Sequence, residues 1–475
     1  MAISDTYKPS RAILELGDKF YDPVRPAQFP KATLRYSNLA AAESVGLASL
    51  TGDGWQKHFH AFKPLPEGLP QPLALRYHGH QFQSYNDRLG DGRGFLFAQL
   101  FARDGRLLDL ATKGSGVTPW SRAGDGRLTL KGAVREALAT EMLESLGVYT
   151  SKTFCFFETG EELQRNDEPS PTRSAVLTRL GHSHIRFGTF QRHAALQDRE
   201  ALQALCDYVR RHFYPDAKDV ADLLRQIVVK TASLCASLMI AGFVHGVLNT
   251  DNMNINGESF DYGPYRFLPS YDPEFTAAYF DQTKLYAYGR QPEAVMWNLE
   301  HLATCFLQVH DDRDSLIEAL RAFTPSFNEA AGAKMRERLG LVPRPSSSVV
   351  DESTEDDLLL AAFNLLAQSQ VTFEQFFFDW YGGMASAERA MKSPESAKYQ
   401  GDAFENFKTM MTQWPATEEA HQRLKTKYFE GAKPCVLLID EIEAIWAPIA
   451  ATDDWAFFNS KIDAIREMGR AHGRR

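Results

Sequence analysis

Cysteine is scarce and scattered in this chain. Among 475 residues there are five, Cys155, Cys206, Cys235, Cys305 and Cys435, and no two form a C-x-x-C pair. That spacing excludes a zinc or disulfide framework and reads as reduced, buried thiols of a cytoplasmic protein. Positive charge is not in excess either, since the formal net charge is −9. Nucleic acid is therefore not an expected partner, because gripping a phosphate backbone needs a basic surface. No basic-then-apolar signal pattern follows Met1, and no internal repeat is visible. The most apolar stretch, Ala232 to Leu248, is interrupted by Ser233, Ser237 and His245. It reads as a buried helix rather than a membrane span, so no membrane partner is expected.

What is present is an ordinary globular composition, 44% hydrophobic and 24% charged, long enough for two or three packed units. Residues 1–80 are rich in proline and aromatics and read as an extension that packs on the rest. Gly94 to Leu100 reads as a strand, Arg103-Asp104-Gly105-Arg106 as a hairpin turn, and Leu107 to Lys113 as the return strand. Alternation puts Leu108, Leu110 and Thr112 on one face and Leu107, Asp109, Ala111 and Lys113 on the other. Apolar residues at 134, 138, 142 and 146 predict a helix stopped by Gly147. A second strand pair is expected near Lys152–Phe157 and Ala175–Thr178. Amphipathic helices follow at 198–212, 219–242, 293–309 and 355–370, with a solvated linker from Arg344 to Asp357. A β-rich first part and an α-rich second part predict an α+β fold of two lobes.

Several segments carry chemistry. Leu89-Gly90-Asp91-Gly92-Arg93-Gly94 precedes a strand and gives the backbone room to approach phosphates. Ala111-Thr112-Lys113 ends the return strand, the layout of a kinase N-lobe in which Lys meets phosphates. Glu136 lies on a small, apolar helical row with Ala139, Thr140 and Leu143, so its carboxylate needs a partner, and Lys113 is the natural one. His245 to Ile255 contains Asp251-Asn252, and Asp261-Tyr262-Gly263 follows nine residues after Asn252. Asn and Asp on neighbouring segments supply the hard oxygens that suit Mg²⁺ held against phosphates. Arg179 and Arg186 flank Gly181-His182-Ser183-His184, and their guanidinium groups suit phosphate oxygens. A kinase catalytic loop places its Asp directly after His-Arg. Here that position is Val247, so the ordinary kinase base is absent.

Together these segments resemble the selenoprotein O family of protein adenylyltransferases. The resemblance is carried by Gly79-His80-Gln81-Phe82, Leu89 to Arg93, Lys113-Gly114-Ser115-Gly116, Gly124-Asp125-Gly126-Arg127, Arg135-Glu136, Ser183 to Gly188, and His245 through Pro264. It implies a protein-kinase-like two-lobe fold with an N-lobe at 81–180, a C-lobe at 181–340 and a helical extension at 341–475. It further implies that ATP binds flipped, so that AMP rather than phosphate passes to Ser, Thr or Tyr hydroxyls of other proteins. By position, Lys113 and Glu136 would be the N-lobe ion pair, and Gly90, Gly92, Arg93, Asp125 and Gly126 would lie along the nucleotide. Arg179 and Arg186 would hold the far phosphates. Asp251 would be the base, and Asn252 and Asp261 would hold Mg²⁺ or Mn²⁺. Many family members carry a Cys or selenocysteine near the C-terminus and some a Cys in the metal loop. This chain ends without one, has Thr276 in the loop, and lacks an expected Arg-Asn at Val436–Asp440. A protein kinase and a nucleotide-binding scaffold without activity remain the competing readings.

Overall fold

The computed structural model describes residues 5–343 and 354–474, so most of the expected linker from Arg344 to Asp357 lies outside the described residues. The first third of the chain builds an antiparallel nine-stranded sheet. Its strands are β1 (Pro9–Ser10), β2 (Tyr21–Pro23), β3 (Thr33–Ser37), β4 (Leu73–Leu75), β7 (Leu96–Phe101), β8 (Leu107–Lys113), β9 (Leu128–Thr129), β10 (Lys152–Leu163) and β11 (Thr172–Gly181). The main order is β2-β4-β7-β8-β11-β10-β3, with β1 paired to β7 and β9 to β11. A separate hairpin joins β5 (Gly79–Gln81) to β6 (Ser84–Asn86), and a further pair joins β12 (Phe243–His245) to β13 (Tyr265–Phe267). Residues 1–80 thus contribute four strands to the main sheet rather than only leaning on it.

Both faces of the sheet are covered, which is why every residue of β8 is buried. On one face α1 (Leu39–Ser44) and α2 (Gly52–Phe59) lie in a cluster with Leu108, Leu110, Phe154 and Val176. On the other lies α3 (Leu130–Ser145). The Thr129 hydroxyl caps α3 by accepting from the Gly132 amide at 3.1 Å, and Gly147 at φ +80° ends it, as its sequence position predicts. Val134, Leu138 and Met142 of α3 pack against Phe156 and Leu177 of the sheet and against Ile445, Phe458 and Ile465 of the C-terminal helices.

The rest is helical: α4 (Phe187–Ala195), α5 (Arg199–Phe213), α6 (Val220–Ile240), α7 (Gln291–Phe306) and further helices to Ala471. Sequence periodicity placed α5, α6, α7 and the helix Glu355–Ser369 within three residues at each end. One expectation is corrected. The apolar run from Ala232 to Leu248 is not one helix, since α6 stops at Ile240 and Phe243–His245 is a strand. Gly242 turns the chain at φ +62°, a conformation open to glycine, with the Phe373 ring filling the space beside it. Helix α6 is long and apolar enough to cross a membrane, but most of it is buried inside the fold. Cys155, Cys206, Cys235 and Cys305 are buried and Cys435 half-buried, all free, and burial pushes every thiol pKa up.

Candidate active site

The hairpin register sets the first wall. β8 and β11 pair Ala111 with Arg179 and Lys113 with Leu177, so Lys113 and Arg179 share a sheet face. α3 packs on that face and brings Glu136, 1% exposed, within 2.6 Å of the Lys113 ammonium. The expected pair is therefore formed. Arg179 also approaches Glu136, at 3.6 Å.

The second wall comes from the segment after α6. Asp261 sits at φ +63° and turns its carboxylate into the cluster, 2.7 Å from Lys113, 3.6 Å from Arg179 and 3.9 Å from Arg186. Burial alone pushes the Asp261 pKa up, but these three cations outweigh it and hold the group well below the usual carboxylate range. Arg186 lies between the rings of Tyr77 and Phe260, at 4.5 and 4.7 Å, and donates to the Asp251 carbonyl at 2.7 Å. Three polar atoms of these groups, Asp251 Oδ1, Arg186 Nε and Arg179 Nη1, are buried and lack hydrogen-bond partners. Gln81 donates to the other Asp251 oxygen at 3.2 Å, and burial pushes the Asp251 pKa up to about 6 against the pull of Arg186.

These groups line a cavity of about 660 Å³ together with Gly90, Gly92, Arg93, Asp125 and Gly126. Eight Lys and Arg side chains face it against four Asp, in a chain whose net charge is negative. That is the electrostatic lining of a polyanion site. Glu136 stands behind Lys113, off the cavity surface. Asn252 is also off it and donates from Nδ2 to the Val247 carbonyl at 2.9 Å, which leaves its side-chain oxygen for another use. Among the described residues no three His, Cys, Asp or Glu side chains cluster to hold a metal ion.

The glycines have a physical reason beyond phosphate approach. A Cβ at Gly90 would run into the Trp120 ring, and one at Gly92 would come 2.8 Å from the Trp120 carbonyl. The loop 118–122 therefore packs flat on the glycine segment, tied by Thr118 Oγ1 donating to the Asp91 carbonyl at 2.6 Å. Asp91, Gln81 and Arg165 are among the lining groups that the sequence did not single out. Asp91 joins this loop to Arg186 at 3.5 Å, and Gln81 holds Asp251. Arg165, from the β10–β11 connection, pairs with Asp125 at 2.8 Å. Asp91 and Gln81 lie in segments that carry the family resemblance, whereas nothing around Arg165 signals its role.

Fold and site define the class first: a mixed α/β protein whose antiparallel sheet and helical part enclose a cation-rich cleft. The family follows from sequence comparison. The sequence profile of the family described as protein adenylyltransferase SelO matches residues 3–466. A protein nucleotidyltransferase YdiU of Trichormus variabilis is 39% identical over 98% of this chain and 97% of its own length. Proteins of the same name from Synechocystis and Gloeobacter violaceus are 40% and 41% identical, over 97% of this chain in each case and 98% and 95% of their own lengths. The chain belongs to the SelO family.

Proposed function

We propose that this protein transfers AMP from ATP to Ser, Thr or Tyr hydroxyls of other proteins and releases pyrophosphate. One observation carries the reading. Arg179 and Arg186, 4% and 3% exposed, line the cleft beside Lys113 and Asp261, where the family resemblance implies the far phosphates of a flipped nucleotide. Their guanidinium groups suit terminal phosphate oxygens, which they can hold by paired N–H donors. A nucleotide with its β- and γ-phosphates on Arg179 and Arg186 presents its α-phosphate to Asp251.

In this reading the sheet with α3 is the N-lobe of a protein-kinase-like fold, the helical part is the C-lobe, and Lys113–Glu136 is its ion pair. Asp251 Oδ1 takes the proton from the acceptor hydroxyl. The hydroxyl oxygen attacks the α-phosphorus, the bond from that phosphorus to the bridging oxygen breaks, and pyrophosphate leaves. Gln81 holds the other Asp251 oxygen so that the free one faces the acceptor. Lys113, Arg179 and Arg186 neutralise charge that builds on the phosphates.

A divalent metal fits these residues. The donors are hard oxygens, Asp261 is kept ionised, and Asn252 has its amide nitrogen engaged and its oxygen free. Asn252 and Asp261 would hold Mg²⁺ or Mn²⁺, which supplies positive charge to the phosphates when bound. Intact-mass measurement of an acceptor protein after incubation with ATP tests the proposal. An adduct of AMP mass is expected, and an adduct of phosphate mass would make the protein a kinase.

A further inference from the structure

Beside the nucleotide cleft lies a second cavity of about 490 Å³. The two are continuous, since Arg93, Lys113, Arg127 and Arg165 line both. Its outer wall carries Tyr279, 86% exposed, and Phe280, 47% exposed. Two adjacent large aromatics held out in solvent beside a cleft mark a contact surface. They also lead somewhere. The Phe280 ring packs on Phe82 at 5.8 Å, and the neighbouring Gln81 donates to Asp251.

The inner wall carries two arginines without counter-ions. Arg135 lies over the Tyr265 ring at 4.7 Å and donates to the Gly263 carbonyl at 3.4 Å. Arg266 donates to the Tyr265 carbonyl at 2.8 Å. Neither forms an ion pair among the described residues. Of the acids that line the groove, Glu443 pairs with Lys131 at 2.7 Å, and neither Asp167 nor Glu168 forms an ion pair with Arg135 or Arg266 among the described residues. Burial first and then the charge of Arg135 push the Arg266 pKa down, with Tyr265 and Glu443 opposing them. Such an arginine pair, half-buried in a chain of net charge −9, is stabilised by an incoming anion.

We propose that this groove docks the acceptor protein through an acidic segment, with carboxylates near the acceptor hydroxyl on Arg135 and Arg266 and the chain laid over Tyr279 and Phe280. The proposal rests on the transfer reading above, since it names the substrate class of that site. Charge complementarity selects the occupant: a basic segment would meet two guanidinium groups that have no ion-pair partner among the described residues, and a purely apolar one would leave them so.

Two fluorescent peptides of equal length, each with one central Thr flanked by Glu in one and by Lys in the other, test it. Binding to the full chain is read by anisotropy at low salt with the cleft filled by α,β-methylene-ATP, which cannot release AMP. The Glu peptide should bind at least about tenfold more tightly. Arg266→Glu should remove or invert that preference, and Tyr279→Ala should weaken the Glu peptide without changing the protein's melting. Should Arg266→Glu fail to fold, Arg135→Glu serves as the second charge reversal. Equal affinities in the wild type, or a preference untouched by both reversals, would overturn the proposal. Label from α-labelled ATP on the Glu peptide is counted separately. Preferential binding without label keeps the docking surface and sinks the transfer reading, and label without preference does the reverse.

Discussion

Replacing Glu136 by Gln keeps the shape of the side chain and removes one charge from the centre of the cleft. The cluster holds Lys113, Arg179 and Arg186 against Glu136, Asp261 and Asp91, a balance of 0 that becomes +1 in the variant. At 2.6 Å and an effective dielectric of about 20, the lost Lys113–Glu136 attraction is about 6 kcal/mol before desolvation. Much of that is offset because the neutral amide is cheaper to bury than a carboxylate, and Asp261 still touches Lys113. Removing one partner of a buried pair costs about 3–5 kcal/mol, and the shared Asp261 places this case near about 3. Urea denaturation followed by tryptophan fluorescence reads the loss. AMP transfer should fall as well, because Lys113 loses the contact that aims it. A denaturation midpoint equal to wild type would refute the reasoning, since it would mean the pair is not desolvated as its burial implies.

Asp251→Ala should lower turnover by about 10²–10⁴-fold while ATP affinity, measured by calorimetry, changes little. An equal loss of affinity would place Asp251 among the nucleotide contacts instead. Arg179→Ala or Arg186→Ala should weaken ATP binding far more than AMP binding, because AMP lacks the far phosphates, and parallel losses would make both arginines structural. Glu258 carries a pH signature. It is 5% exposed and accepts from the His182 amide at 2.8 Å, and burial pushes its pKa up to about 7. The folded state therefore keeps a proton that the unfolded chain releases near pH ~4.3. The resulting stability is full below that pH and lost as pH rises to about 7, leaving a penalty on the order of 3 kcal/mol above it. Glu258→Gln should match wild type in melting at pH ~5 and exceed it at pH ~8, and an equal difference at both pH values would contradict the assignment.

Much of the fold was legible because its signals are local. The Asp-Gly hairpin, the period-2 alternation of β8 and the 3.6-period row of α3 each depend on a few neighbouring residues, and each formed where its pattern predicts. Lys113 and Glu136 were legible for a different reason: a charge on an apolar face demands a partner, and Lys113 is the natural one, with Arg179 also coming within 3.6 Å of Glu136. The strand Phe243–His245 was not legible, because Phe243 and Val244 continue the apolar run and composition does not show that Gly242 turns left-handed against Phe373. Nor was the role of Arg165, whose pairing with Asp125 is set by how β10 and β11 carry their connection over the cleft. The Trp120 contact that requires glycine at positions 90 and 92 is likewise a tertiary fact behind a motif read as phosphate-binding.

The central claim is that the nucleotide lies with its far phosphates on Arg179 and Arg186 and its α-phosphate at Asp251. The most direct test incubates the full chain and an acceptor protein with Mg²⁺ and ATP labelled at either the α- or the γ-position, with Asp251→Ala as control. The account predicts stable label on protein from the α-position only, lost in the control. Label from the γ-position and none from the α-position would contradict it, because phosphate would then be transferred and the nucleotide would lie the other way round.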